Sequence, residues 1–247
     1  MGAGVGDWNV RKLGIIGGVS WTSTALYYEA INKAVAQRLG GLHSAELAIE
    51  SLDLAAIARM QQAEEWVTVG HVVGDAASRL VAGGAEGIVI ASNTLHRVYD
   101  EVSAAAAAPV LHIGDAVAQR LVHDGVQRVA LLGTRFTMNQ PFVRDRLEAR
   151  GIQLAPVDGQ WMSEVDRIIY EELAAGRVVR DSQRKLKTLI TELGKKKVQA
   201  VVLGCTELVL AVDTRANILP VYDSTAIHAR AAAEWMLAEE EEARAAA

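Results

Sequence analysis

Two strand-like segments of this chain each occur twice, roughly half the chain apart. Residues 13–18 (LGIIGG) resemble residues 129–134 (VALLGT), an offset of 129 − 13 = 116 positions. Residues 88–93 (IVIASN) resemble residues 202–207 (VLGCTE), an offset of 202 − 88 = 114 positions. Two separate strand-and-turn units at nearly the same offset indicate that the chain is built from two similar halves.

Apolar, β-prone segments alternate with helical segments along the chain. The predicted strands cover residues 12–16, 45–52, 87–91, 110–113, 128–132, 152–155 and 200–203. This alternation predicts parallel sheets covered by helices on both faces. Together with the repeat, it predicts two α/β domains whose strand-end loops line one shared cleft. The predicted first domain contains residues 1–112 and 217–247, and the second contains residues 113–216.

The composition limits the classes of protein to which this chain can belong. A hydrophobic fraction of 51% over 247 residues is enough to build globular cores. The net charge of −5 and the scattered lysines and arginines argue against nucleic acid as a partner. No apolar run approaches the ~18 residues of a membrane span, and the start lacks a signal-peptide pattern. One cysteine cannot form an internal disulfide, so we expect a protein of the reducing cytoplasm.

The single cysteine, Cys205, lies at the end of a strand-like run of apolar residues. The carboxyl ends of parallel strands are where open α/β sheets bind ligands. We expect Gly204 to allow the turn and Thr206 to cap a helix that begins at Glu207. Backbone amides at that helix start would favour a thiolate or a substrate carboxylate. The alternative is a small buried side chain with no chemical role, since free cysteine is often buried.

Six short motifs stand in order along the chain and carry a family resemblance. They are GGVSW (17–21), GGLHSA (40–45), NTLH (93–96), LLGT (131–134) with TM (137–138), LGCTE (203–207) and DSTAIHA (223–229). With these motifs, the chain resembles the aspartate/glutamate racemase family from about residue 12 to residue 237. The resemblance implies two pseudo-symmetric, Rossmann-like (flavodoxin-like) domains of three layers, with the active site in the cleft between them. It also implies a homodimer that racemises aspartate or glutamate without pyridoxal or any other cofactor.

The family mechanism uses two cysteines on opposite sides of the substrate Cα atom. One cysteine removes the proton and the other returns a proton to the opposite face, as inversion of a stereocentre requires. An ordinary cysteine is only about 3% thiolate at pH 7, so its surroundings must activate it. The second family cysteine corresponds to Cys205, but the first corresponds to Ala91, because the usual CTNT run is ASNT here. A methyl group cannot carry a proton, so one of the two bases is missing.

Three interpretations of Ala91 remain open. In the first, the protein is an amino-acid racemase in which Ser92 or a bound water replaces the missing cysteine, or a variant altered to trap a ligand. In the second, Cys205 alone protonates an enediolate, as in a stereospecific decarboxylase, lyase or isomerase. In the third, the protein is a catalytically dead homologue that binds a small dicarboxylate or a partner protein. We favour the racemase, with Cys205 as its acid/base.

The resemblance also implies which motif residues bind the substrate. The expected binding residues are Ser92, Asn93, Thr94, Thr134, Thr206, Glu207 and Arg180. The first three are expected to hold the α-carboxylate, and Thr206 with the amide of Glu207 would mirror them in the other half. Arg180 is our candidate ligand for the distal carboxylate of an acidic substrate, since a bidentate arginine suits a carboxylate.

Histidines and glycine-rich loops give little support for a bound cofactor. His96 and His228 lie in two of the motifs and are candidates for contacts behind the binding residues, or for purely structural roles. The six histidines show no metal-ligand spacing such as HExxH, so we expect no metal. No glycine-rich phosphate loop is present. We therefore expect a small amino acid or dicarboxylate as the ligand, and no membrane or nucleic-acid partner.

Overall fold

The computed structural model describes residues 10–245, with side chains for residues 10–238. The outer parts of the predicted domain ranges, before residue 10 and after residue 245, lie outside the described residues. Strands and helices alternate along the described chain, and the strands form two parallel sheets of four strands each.

The two sheets have the same strand order. The first is formed by β1 (Leu13–Gly17), β2 (Leu47–Ser51), β3 (Gly87–Ile90) and β4 (Val110–Leu111). The second is formed by β5 (Arg128–Gly133), β6 (Gln153–Leu154), β7 (Ala200–Gly204) and β8 (Val221–Asp223). Their orders are β2-β1-β3-β4 and β6-β5-β7-β8, with all strands parallel. This arrangement confirms the predicted α/β fold class with two similar halves.

Helices cover both sheets. Those between residues 18 and 127 are α1 (Trp21–Leu39), α2 (Leu54–Gln62), α3 (Trp66–Ala82), α4 (Tyr99–Ala106) and α5 (Ile113–His123). Those after β5 are α6 (Arg135–Asn139), α7 (Pro141–Glu148), α8 (Gly159–Arg167), α9 (Arg180–Lys195) and α10 (Ser224–Ala245). Short 3₁₀ turns cover Thr94–Val98, Leu173–Ala175 and Thr206–Leu210, and a π-turn covers Ile168–Glu172. No helix within residues 10–245 combines the length and apolarity needed to cross a membrane.

The central strands are buried on both faces, as strands between two helix layers must be. Every residue of β1, β3 and β7 is buried. In β3, Ile88 and Ile90 pack with α3 and α4, whereas Val89 between them packs with α1 and α10. Helix α10 therefore packs on the first sheet together with α1. Strand β8, which also falls in the range 217–247, pairs with β7 in the second sheet, and the domain boundaries remain a prediction.

Several local features differ from the sequence expectations. The sequence favours one helix over residues 163–175, but α8 stops at Arg167 and is followed by the π- and 3₁₀ turns. Helix α6 occupies residues that the sequence predicts to be the connection between the strand 128–132 and a helix from about residue 140. The helix expected after Cys205 is only a five-residue 3₁₀ turn, and no side chain caps it. Gly204 serves close packing and not a turn, since a Cβ atom there would lie 2.8 Å from Leu131 Cδ1.

Candidate active site

A cavity of about 300 Å³ lies between the two halves, at the carboxyl ends of β3, β5 and β7. Parallel α/β sheets bind ligands at this edge, and small-molecule sites start at about this volume. Seven of the nine predicted site residues line the cavity: Ser92, Asn93, Thr94, Thr134, Cys205, Thr206 and Glu207. The cavity thus brings together strand ends from both sheets.

The other two predicted site residues, Ala91 and Arg180, do not line the cavity. The methyl group of Ala91 is 1% exposed and packs in the apolar cluster of α1 and α10. The cavity wall at that position is formed by Ser92, the next residue, and not by Ala91 as expected. Arg180 is the exposed first residue of α9. Its guanidinium therefore forms no part of the cavity wall.

Cys205 follows β7 directly and is held beside a carboxylate. Its side chain is 7% exposed, and its Sγ donates a hydrogen bond to Glu207 Oε2 over 3.0 Å. Thr206 Oγ1 donates to the same carboxylate oxygen over 2.7 Å. The 3₁₀ turn makes this possible, because it curls the chain back within two residues of the thiol. Cys205 and Glu207 thus form a thiol–carboxylate pair, and the Thr206 hydroxyl holds the carboxylate in place.

The surroundings of Cys205 keep it protonated. Burial raises the pKa of the Cys205 thiol well above its ordinary value, and the negative charge of Glu207 raises it further. This is the opposite of the thiolate that the sequence predicts from a helix start, because the turn after Cys205 is short and carries an acid. At neutral pH Cys205 is therefore a proton donor that has a carboxylate ready to accept its proton.

Helix α1 of the first half reaches this pair through Ser23, which the sequence analysis does not identify. The Ser23 hydroxyl donates to Thr206 Oγ1 and lies 3.5 Å from Glu207 Oε1. Ser23 starts a buried stripe that continues with Tyr27, Ile31 and Val35, spaced four residues apart. A serine on an otherwise apolar helix face is the signal that could have identified it.

The polar residues after β3 connect the two halves across the cavity. Asn93 Nδ2 donates to Ser224 Oγ over 3.1 Å, and Ser224 donates in turn to the Leu203 carbonyl over 2.6 Å. The hydroxyls of Thr94 and Thr134 are 3.2 Å apart. Thr134 also accepts a hydrogen bond from the Thr137 amide and so caps α6. These contacts fix the position of the two strand ends relative to each other.

A cluster of buried histidines lies behind this wall. His96 Nδ1 donates to the Ser92 carbonyl over 2.8 Å, and its Nε2 accepts from the Ile113 amide over 3.1 Å. Burial lowers the pKa of His96 to about 4 and that of His228 to about 3. Burial and the neighbouring His96 lower the pKa of His112 to about 2. These histidines are neutral at pH 7, and neither His96 nor His228 lines the cavity.

The remaining lining residues are not among the predicted site residues, although Val19, Ser20 and Gly204 lie within two of the motifs. They are Val19, Ser20, Leu54, Ala58, Gln61, Ile169, Tyr170, Ala174, Ala175 and Gly204. No lysine, arginine or histidine is among the described residues that line the cavity. The wall therefore combines hydroxyls and amides at the strand ends with aliphatic groups elsewhere, and Glu207 carries its one ionisable carboxylate.

Comparison with known proteins identifies relatives over most of the chain. The family model described as Asp/Glu/Hydantoin racemase matches residues 16–232. A solved structure of a candidate Asp/Glu racemase from Yersinia pestis is 43% identical, with a TM-score of 0.86, covering 92% of this chain and 99% of that one. An aspartate racemase homologue from Pyrococcus horikoshii OT3 is 33% identical, with a TM-score of 0.79 and the same coverage, 92% and 99%. The broad-specificity amino-acid racemase RacX of Bacillus subtilis (strain 168) is 25% identical over 164 residues, which is 66% of this chain and 70% of RacX.

Proposed function

The chain belongs to the Asp/Glu/hydantoin racemase family, and from that premise we propose that it moves the Cα proton of an amino acid, with Cys205 as the acid/base. The family supports a racemase-type enzyme, and therefore an isomerase. One observation carries the proposal: the only thiol of the chain lines the cavity between the halves and donates to a buried carboxylate. A structural cysteine has no need of such a partner.

Cys205 and Glu207 provide both steps of proton transfer on one face of the substrate. When Cys205 acts as the base, Glu207 accepts the thiol proton and the thiolate then removes the proton from Cα. The electron pair of the broken Cα–H bond moves into the α-carboxylate, which becomes an enediolate. In the reverse direction, the Cys205 thiol gives its proton to Cα, and the Glu207 proton returns to sulfur. General acid–base groups of this kind contribute about 10²–10⁴-fold to a rate.

The strand-end residues suit the two charged groups of an amino acid. The hydroxyls and amides of Ser92, Asn93, Thr94 and Thr134 provide neutral donors for the α-carboxylate. The carboxylate of Glu207 provides a counter-charge for the α-ammonium group. The positive charge of the ammonium group also stabilises a thiolate formed beside it, so substrate binding favours ionisation of Cys205.

The opposite face of Cα lacks a second thiol. Ser92 or a water beside it is the proposed substitute, supported by the place of Ser92 in the cavity wall. A hydroxyl is a weak acid and a weak base, so protonation from this face is expected to limit inversion. We therefore propose that Cα exchanges its proton at the Cys205 face faster than the stereocentre inverts.

Incubation of L- and D-amino acids in D₂O tests the proposal. Cα deuteration is followed by NMR, and the enantiomers are separated by chiral chromatography. Deuteration together with slower inversion supports a racemase with an unequal pair of bases. The absence of deuteration in every amino acid tried would contradict the proposed function and leave a protein that only binds its ligand.

A second candidate function is one-sided chemistry, in which Cys205 alone protonates an enediolate. The observation in its favour is that Ala91, Ser92 and Asn93 carry no strongly acidic or basic group. Deuteration that never leads to inversion would support this decarboxylase, lyase or isomerase type of function over racemisation. The same measurement therefore distinguishes the two candidates.

The family does not define a single substrate. The family name supports aspartate or glutamate, as the motifs also imply, and a dicarboxylate fits the same expectation. The broad-specificity relative supports a wider set of amino acids. The residues around the substrate side chain help to decide between acidic amino acids and a wider set.

A further inference from the structure

One end of the cavity is built to receive a side chain. Leu54, Ala58 and Gln61 are spaced i, i+4 and i+7 along α2, so they lie on one helix face, and all three line the cavity. The second half contributes the π- and 3₁₀ turns, whose lining residues are Ile169, Tyr170, Ala174 and Ala175. We call these seven residues the aliphatic end. It differs from the strand-end part of the wall, which is mostly polar.

Besides the Tyr170 hydroxyl, the polar group in the aliphatic end is the side-chain amide of Gln61. Its side chain is 5% exposed, and its Nε2 atom has no hydrogen-bond partner. A buried amide donor that is left unpaired is costly, so such donors normally have a partner. Among the described residues with a buried and unpartnered side-chain nitrogen or oxygen, Gln61 is the one that lines the cavity. The missing partner is therefore expected to come from the ligand.

The charges around the cavity argue against a second carboxylate on the ligand. Glu207 already brings one carboxylate, and no lysine, arginine or histidine lines the cavity among the described residues. Arg135 acts on the Tyr170 hydroxyl through its charge, but it is exposed and its guanidinium stacks on Phe136. A distal carboxylate would lose its hydration without gaining a cation, and it would be repelled by Glu207.

On the basis of the proposed function, we infer that the substrate is a neutral amino acid whose side chain has an aliphatic stem and a hydrogen-bond acceptor. The stem lies in the aliphatic end, and Gln61 donates its Nε2 hydrogen bond to the acceptor. Gln61 is then a specificity-determining residue, and the expected substrate class shifts from acidic amino acids to uncharged polar ones of similar length.

Binding to the purified full-length protein tests this class without requiring turnover. Glutamine and glutamate form a matched pair, because they differ in charge and hardly in shape, and norleucine is a similar stem without the acceptor. Calorimetric titration of both enantiomers of each is expected to rank glutamine about tenfold or more above glutamate. Norleucine is expected to bind more weakly than glutamine by about tenfold. Equal or tighter binding of glutamate would overturn the inference.

Two variants of α2 test the role of Gln61. Gln61→Leu keeps most of the side-chain volume and removes the donor, so it is expected to lower glutamine affinity about tenfold while norleucine affinity stays the same or rises. The matched control is Gln62→Leu, since Gln62 is the exposed neighbour on the same helix. An equal loss for glutamine and norleucine in Gln61→Leu would contradict a recognition role and indicate a structural one.

The failure of this inference differs from the failure of the proposed function. If glutamate is bound and deuterated in preference to glutamine, the proposed function holds and the neutral class is wrong. If glutamine binds in preference but no amino acid is deuterated at Cα, the neutral class holds and the acid/base role of Cys205 is wrong. If Arg135→Gln abolishes glutamate binding, a cation does serve the cavity and the inference fails.

Discussion

The two halves of the molecule share a fold but differ in the residues that follow their third strand. After β7 stand Cys205, Thr206 and Glu207, which form a thiol–carboxylate pair. After β3 stand Ala91 and residues 92–93, which contain neither a thiol nor a carboxylate. The two sheets nevertheless have the same strand order and direct both segments to the same cavity. Fold symmetry thus preserves the positions of the two segments without preserving the chemistry of their side chains.

The segment after β3 has a different role from its counterpart. Asn93 bonds to Ser224, and the Ser92 carbonyl accepts from His96, so this segment is tied to its surroundings at several points. Cys205 and Glu207 mainly bond to each other and to neighbouring hydroxyls. In the proposed function, the first half therefore mainly positions the substrate, and the second half carries the proton at the Cys205 face.

The largest expected effect comes from removing the thiol. Cys205→Ala is expected to lower Cα deuteration by about 10³-fold, because one general acid/base contributes about 10²–10⁴-fold. Substrate binding is expected to change much less, since the hydroxyls and amides after β3 remain. The measurement is the initial deuteration rate by NMR, with affinity measured separately. Full deuteration activity in Cys205→Ala would reverse the comparison between the halves.

Replacing the carboxylate tests whether the thiol works as part of a pair. Glu207→Gln is expected to lower the deuteration rate about 10²-fold, because the thiol proton loses its acceptor. It is also expected to lower the pKa of Cys205, since the charge of Glu207 raises that pKa. Thiolate absorbance against pH measures the change, and the signal has one source because the chain has one cysteine.

Asp166→Asn is the graded control for this experiment. Asp166 also raises the pKa of Cys205 through its charge, but it contributes less than Glu207. The decrease in the thiol pKa is therefore expected to be smaller in Asp166→Asn than in Glu207→Gln. An equal decrease in both variants would mean that the negative charge acts at a distance and that the hydrogen bond from sulfur has no special role.

The histidine cluster makes the positioning half sensitive to acid. His96, His112 and His228 have folded-state pKa values of about 4, 2 and 3, below the unfolded value of about 6.5. As the pH falls below about 6.5, the unfolded chain binds protons that the folded chain does not, so the free energy of unfolding decreases. The contribution of His96 is complete above about pH 6.5 and is lost on the way down to about pH 4.

Thermal unfolding followed between pH 7 and pH 4 measures this loss. Each buried histidine contributes a slope of up to about 1.4 kcal/mol per pH unit in that range. His96→Gln removes one titrating group, so it is expected to reduce the slope by up to about 1.4 kcal/mol per pH unit. His71→Gln provides the control, because His71 is at an exposed position of α3. A slope that stays unchanged in His96→Gln would mean that His96 takes a proton without disturbing the wall.

The sequence predicts the strands and much of the strand-end site, for a local reason. Alternation and burial are encoded within each segment, and side chains that end parallel strands meet at one edge whatever the rest of the chain does. The family motifs add the match of Ala91 to Cys205. For these reasons the fold and seven of the residues that line the cavity could be named without coordinates.

The remaining site residues depend on contacts between distant segments. Ser23 and Gln61 lie on helices whose orientation is set by packing. A polar residue on a buried helix face marks each of them as unusual, but their own segments do not indicate that this face meets the cavity. Arg180 is predicted because a bidentate arginine suits a carboxylate, but it lies on the surface. The raised pKa of Cys205 depends on the burial of the thiol and on the orientation of the Glu207 side chain, and sequence spacing determines neither.

Restoring the missing thiol is the most direct way to narrow the difference between the halves. Ala91→Cys is expected to raise the ratio of inversion to deuteration about tenfold, provided that the longer side chain turns from the apolar cluster toward the cavity wall at Ser92, where a thiol is a stronger acid than a hydroxyl or water. The gain in inversion is limited by the neighbouring residue. Glu207 stands two residues after Cys205 and accepts its proton, whereas Asn93 stands two residues after Ala91 and cannot accept one. Ala91→Ser controls for the added volume in the apolar cluster around Ala91. Enantiomer composition and Cα deuterium measured in the same samples give the ratio directly. If Ala91→Cys leaves the ratio unchanged, the second proton comes from elsewhere in the cavity, and the pairing of Ala91 with Cys205 describes the fold without describing the chemistry.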